Sequence, residues 1–130
     1  RVSYQWNRFR FENDPRFGDN TIAGIPEHFS KFEITYTHPC GFYFGPNVEW
    51  SAVKAPVDHA NTFFADPYGL VGLKGGWRGK NWGLFVEARN LGDKRYAATT
   101  GVVQTAAGAD VAQFLPGDGR AIYGGIQWSW

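Results

Sequence analysis

Polar and apolar residues alternate along most of this chain with the period of two that marks a strand with one apolar and one polar face. Phe32, Ile34 and Tyr36 alternate with Lys31, Glu33, Thr35 and Thr37, and the His38-Pro39-Cys40-Gly41 run then breaks the pattern. Phe42, Phe44, Val48 and Trp50 follow, alternating with Tyr43, Gly45, Asn47 and Glu49. Two such runs joined by a short Pro/Gly segment predict a hairpin. Residues 68–77 carry Val71, Leu73 and Trp77 on one face and Lys74 on the other, and a tight turn at 78–81 leads into 82–89. In that run Trp82, Leu84, Val86 and Ala88 share a face, while Phe85, Glu87 and Arg89 share the opposite one. Residues 120–130 place Ile122, Ile126, Trp128 and Trp130 on one parity. At the start Val2, Tyr4 and Trp6 alternate, then Phe9 and Phe11 change parity, which predicts a bulge near Asn7.

The prediction is an all-β chain: an antiparallel meander of about six strands, each about nine to eleven residues long, the length that crosses a bilayer at a tilt. The connections alternate in length. Segments 12–28, 51–67 and 92–118 are long and rich in Gly, Pro, Asp and Asn, whereas 38–41 and 78–81 are short. Long loops at one end and tight turns at the other is the arrangement of an outer-membrane barrel. Tyr68, Trp77, Trp82, Trp128 and Trp130 are expected on the apolar faces near strand ends, at the level of the membrane interface. The competing reading is that these rings fill the core of a small soluble lipocalin-like barrel that binds an apolar ligand.

Composition narrows the function classes. The 13 Lys and Arg are balanced by 12 Asp and Glu, so there is no basic excess for a nucleic-acid partner. The single Cys, Cys40, excludes an internal disulfide and any zinc site built on several thiolates. No stretch approaches the roughly 18 apolar residues of a membrane helix, which leaves a membrane strand open. Arg1 opens the chain without a charged region and apolar core behind it, so a mature or excised piece of a longer protein is expected.

Candidate chemistry is sparse. His28, His38 and His59 fall in three different connections, with no Cys or carboxylate at ligand spacing. None of Ser3, Ser30, Ser51 and Ser129 sits in a nucleophile elbow. Gly117-Asp118-Gly119 reads as a turn, and Asp14 and Asp19 lack the remaining oxygen ligands of a calcium loop. Neither a catalytic residue, a metal site nor a cofactor is expected, and the chain is not read as an enzyme. Lys31, Glu33, Glu49, Lys74, Glu87 and Arg89 fall on the parity that a barrel turns to its lumen. They are read either as cross-strand ion pairs bracing the wall or as contacts to a plug or a passing substrate. Ligand specificity would sit in the long loops, which hold Phe17, Phe63, Phe64 and Gln113.

The run Gly83-Leu84-Phe85-Val86-Glu87-Ala88-Arg89-Asn90-Leu91-Gly92-Asp93-Lys94-Arg95-Tyr96 resembles the penultimate strand and loop of TonB-dependent outer-membrane receptors, with their Asn-Leu-x-Asp-Lys-x-Tyr signature. Pro116-Gly117-Asp118-Gly119-Arg120, leading into an alternating strand that ends in Trp130, is similar to the family's last strand. Tyr4-Gln5-Trp6-Asn7, Gly24-Ile25-Pro26-Glu27-His28 and Tyr68-Gly69-Leu70-Val71 also resemble the family's pattern.

The resemblance implies the C-terminal strands of a Gram-negative outer-membrane receptor for uptake of a scarce nutrient, most often a ferric siderophore. It implies lipid, the other barrel strands and a plug as neighbours, with the C-terminus in the periplasm and TonB engaged through an N-terminal segment, the TonB box, that lies outside these 130 residues. Asn90, Leu91, Asp93, Lys94, Tyr96, Gly119, Arg120 and Trp130 are the motif residues, expected to be structural: Asn90 and Asp93 satisfying local backbone, Tyr96 anchoring on the rim.

Overall fold

A computed structural model describes residues 1–109 and 114–130, which leaves Gln113 outside the described residues. The strands are β1 (Val2–Trp6), β2 (His28–Glu33), β3 (Tyr36–Thr37), β4 (Phe42–Ser51), β5 (Ala55–Pro56), β6 (Phe64–Ala65), β7 (Tyr68–Arg78), β8 (Trp82–Arg89), β9 (Ala97–Thr100), β10 (Phe114–Pro116) and β11 (Ala121–Trp128). No helix occurs among the described residues. The main sheet runs β1-β2-β4-β7-β8-β11 with β3 on β4, and every pair along it is antiparallel, so six strands form the expected meander, of which β4 and β7 have the expected nine to eleven residues and β1, β2, β8 and β11 are shorter. β1 and β11 stand at opposite edges and do not pair with each other, so the sheet is an open wall.

The run predicted as one strand over 31–37 is two, and Pro46 is the reason. Ile34 N–H donates to the Pro46 carbonyl at 3.2 Å. The return bond of that antiparallel pair needs an N–H on residue 46, which proline lacks. Glu33 still faces Asn47 and Tyr36 still faces Phe44, so the register survives the gap between β2 and β3. At Gly45 the Ile34 carbonyl lies where a Cβ would be, a close approach only glycine permits.

The three long connections are not irregular loops. Each folds back as a short ribbon that continues its hairpin: Arg10 pairs with Thr21, β5 with β6, and β9 with β10. The bulge expected near Asn7 is not found there: β1 ends at Trp6, and the extra residues lie on the returning side. Between the Trp6–His28 and Arg10–Thr21 pairs that side has six residues (22–27) against three (7–9), and runs through Gly24 at φ 85° and Pro26. His28 belongs to β2 rather than to the connection before it, which corrects the expected placement.

A single-layered sheet has no interior of its own. Among the described residues the buried apolar ones are Ala23, Val57 and Ala106, and all three lie where the long connections meet. The large side chains of the sheet stay open instead, among them Val2, Ile34, Phe44, Ile122 and Ile126. Such an extended exposed apolar surface marks an interaction or membrane face.

Candidate functional site

The register divides the sheet into two unlike faces. Val2 pairs with Phe32, Val48 with Val71, Leu73 with Ala88, Leu84 with Ile126, and Trp82 with Trp128, and these share one face. Every Lys, Arg and Glu of the strands, namely Lys31, Glu33, Glu49, Lys74, Arg78, Glu87 and Arg89, stands on the other. Five of the chain's six Trp lie in the strands, all on the uncharged face. Trp130 packs edge-on against Trp128 with ring centroids 6.4 Å apart. Trp77 and Trp82 meet at 4.7 Å beside the 78–81 turn, while Trp6 and Trp50 mark the other end of the same face. From Phe42 to Trp50 the chain rises about 26 Å at roughly 3.3 Å per residue, the scale of a barrel's apolar band.

Tyr68 corrects the expectation for the aromatics. It stands on the charged face, opposite Ser51, because its even number in β7 opposes the odd parity of Val71, Leu73 and Trp77. Its ring packs on Tyr96 at 4.7 Å and its hydroxyl donates to Glu49 Oε1 at 3.4 Å.

The six charged residues singled out from the sequence form three close pairs. Lys31 Nζ reaches Glu49 at 2.8 Å, Lys74 Nζ reaches Glu33 at 2.7 Å, and Arg89 Nε reaches Glu87 at 2.7 Å. The Arg89 guanidinium also lies over the Tyr123 ring at 5.1 Å. The six charged residues, with Asn47, Asn90, Tyr96 and Asp118, line a hollow of about 680 Å³ on this face.

Above the hollow the motif residues clasp the ends of β8 and β11. Asn90 is 4% exposed and sits at φ 47°, a conformation asparagine tolerates better than most residues. Its Nδ2 donates to the carbonyls of Lys94 and Asp118, both at 2.9 Å, and its Oδ1 accepts the Lys94 N–H at 2.9 Å. Asp93 Oδ1 accepts the Arg120 N–H at 3.0 Å and lies beside Gly119. The Tyr96 carbonyl accepts the Gly117 N–H at 2.8 Å, and its ring covers Gly117 so closely that a side chain there would collide with it. Burial pushes the Tyr96 phenol up, helped by the Glu49 charge. Leu91 N–H bonds the Val71 carbonyl at 2.8 Å, the Lys94 side chain is exposed, and Trp130 is fully exposed.

The three long connections converge into a cap at the same end. Its centre is Asp58, fully buried beside Val57, a residue the sequence reading did not single out. Burial pushes this carboxyl up, but donors from Thr62, Ala106 and Phe63 outweigh it and hold the group below the usual carboxylate range. Phe11 meets His59 edge-on at 5.2 Å and Phe17 meets it tilted at 5.6 Å, and Phe63 meets Phe114 at 5.7 Å, while Phe64 is exposed. Asp14 and Asp19 serve their own ribbon. Asp14 Oδ1 accepts the Arg16 and Phe17 N–H groups, which keep its carboxyl low, and Asp19 Oδ1 accepts that of Asn13 at 3.0 Å.

The histidines stay apart. His28 Nδ1 lies 2.7 Å from the Tyr4 hydroxyl, His38 Nδ1 lies 2.7 Å from Cys40 Sγ in an exposed turn, and His59 is in the cap. No cluster of three metal-ligating side chains occurs among the described residues.

An antiparallel single layer with one apolar face, one charged face, short turns at one end and a folded cap at the other is the wall of a membrane β-barrel. A family model described as TonB dependent receptor-like, beta-barrel, matches residues 1–91, and the chain belongs to that family. It is an outer-membrane receptor family and not a family of enzymes, which decides against the soluble lipocalin-like module. The matched span ends at Leu91, so Asp93, Lys94, Tyr96 and the last strand lie beyond it.

Proposed function

We propose that these residues are the C-terminal wall of a receptor that takes up a scarce nutrient across the outer membrane with energy delivered through TonB, a ferric siderophore being the first candidate. The observation that carries this reading is the sorting of every strand Lys, Arg and Glu to one face and of every strand Trp to the other. In hydrocarbon an unpaired charge is expensive, so the uncharged face meets lipid and the face with the three ion pairs looks into the lumen, toward plug and substrate. Neighbouring barrel strands cover the open edges of β1 and β11, because each unpaired backbone group left in lipid costs several kcal/mol. The cap lies outside the cell; Cys40 and Trp130 lie on the periplasmic side.

The test is uptake by intact cells of ⁵⁵Fe complexed to hydroxamate and catecholate siderophores, with and without this gene, and again with the proton-motive force collapsed. Loss of uptake of one complex in both treatments supports the reading. Unchanged uptake of every complex removes the siderophore assignment.

A further inference from the structure

We propose that the second long connection is a keystone, in which Asp58 and Asn61 bind the first and third connections into one cap that opens as a unit, with Asp58 as its positioning residue. That this cap faces the outside of the cell rests on the proposed function; the coupling itself does not.

Asp58 holds the third connection. Its Oδ1 accepts the N–H groups of Thr62 at 2.8 Å and Phe63 at 3.1 Å, and its Oδ2 accepts the Thr62 hydroxyl at 2.6 Å and the Ala106 N–H at 2.9 Å. Thr62 Oγ1 in turn accepts the Gly108 N–H at 3.0 Å. The neighbouring backbone adds two bonds, His59 N–H to the Val103 carbonyl at 3.0 Å and Ala60 N–H to that of Gln104 at 2.9 Å. Asn61 holds the first connection. Its Nδ2 donates to the Thr21 carbonyl at 2.8 Å while its Oδ1 accepts the Thr21 N–H at 2.9 Å, as a strand partner would. Gly24 N–H reaches the Pro56 carbonyl at 2.8 Å, and Asn20 Nδ2 reaches that of His59 at 3.0 Å.

The two anchors are one turn. The Asp58 carbonyl accepts both the Asn61 N–H and its Nδ2, each at 3.0 Å, so displacing Asp58 displaces Asn61. Among the described residues no hydrogen bond joins the first connection to the third directly. A buried carboxylate is costly unless its hydrogen bonds are complete, which makes Asp58 sensitive to any opening of either neighbour.

Hydrogen exchange read by mass spectrometry on the receptor in mild detergent tests this with Asp58→Asn and Thr62→Val, neither needing a ligand. The expected result is exchange at least about tenfold faster in peptides covering 20–24, 57–63 and 104–108 together, with β4 and β7 unchanged. Thr62→Ser, which keeps the hydroxyl, restores wild-type exchange. Should Asp58→Asn fail to assemble, Thr62→Val decides. Wild-type exchange at 20–24 beside faster exchange at 104–108 overturns the keystone and leaves a local bond. Failure of the uptake test would leave this outcome unaffected.

Discussion

Lys74 on β7 and Glu33 on β2 meet at 2.7 Å although β4 runs between their strands. Gly45, the residue opposite Lys74, leaves the room, and the long lysine side chain crosses it. Both side chains are about one-third exposed (31% and 36%), so water screens the pair and its worth is modest.

A double-mutant cycle of Glu33→Gln and Lys74→Met is therefore expected to give a small coupling that shrinks further in high salt. Unfolding in denaturant, followed by loss of β-structure, measures it. A coupling of several kcal/mol would show that the hollow is drier than this exposure implies.

Asn90→Ala is expected to destabilise by about 2 kcal/mol, since three hydrogen bonds are lost and a Cβ residue without a compensating amide is forced to positive φ. Asn90→Gly should recover up to about 1 kcal/mol of that by relieving the backbone alone. The same unfolding assay ranks them, and equal losses would assign the whole effect to the hydrogen bonds.

The cap should resist acid further than an ordinary carboxylate would allow. The folded-state value of Asp58 lies below the unfolded one, so its ionised form stabilises the cap above about pH 4 and the contribution fades as pH falls through the folded value. Exchange protection at residues 57–63 is expected to be flat from about pH 7 to 5 after correction for intrinsic rates, to begin to weaken below about pH 4, where an unfolded aspartate titrates, and to be lost only as pH falls through the lower folded value. Asp58→Asn should remove that acid-dependent step.

Much of this was legible in the residues. Alternation alone assigned Val48, Leu73 and Ile126 to one face and Lys31, Glu49 and Glu87 to the other, because a period of two leaves no freedom once a register is set. Tyr68 was misplaced by counting aromatics near strand ends instead of counting parity. The break at Pro46 was present in the sequence as a proline inside an alternating run, but its effect depends on which neighbour needs the missing N–H. Asp58 was invisible. Its donors include Ala106, 48 residues away, and nothing local distinguishes it from a loop aspartate.

Cys40 supplies a built-in control for orientation. In intact cells Cys40 should resist a membrane-impermeant thiol reagent, while a cysteine introduced by Ala98→Cys, in the exposed part of β9, should react; after permeabilisation both should react. Labelling of Cys40 in intact cells would invert the topology.

The most direct measurement of the central claim is quenching of tryptophan fluorescence by brominated acyl chains in reconstituted receptor. It is read as the difference between the wild type and a variant with Trp6, Trp50, Trp77, Trp82, Trp128 and Trp130 replaced by Phe. Strong quenching of that difference signal by brominated lipid, with little by aqueous iodide, is the predicted result. Quenching by iodide and none by brominated lipid would put the tryptophan face in water and contradict the account.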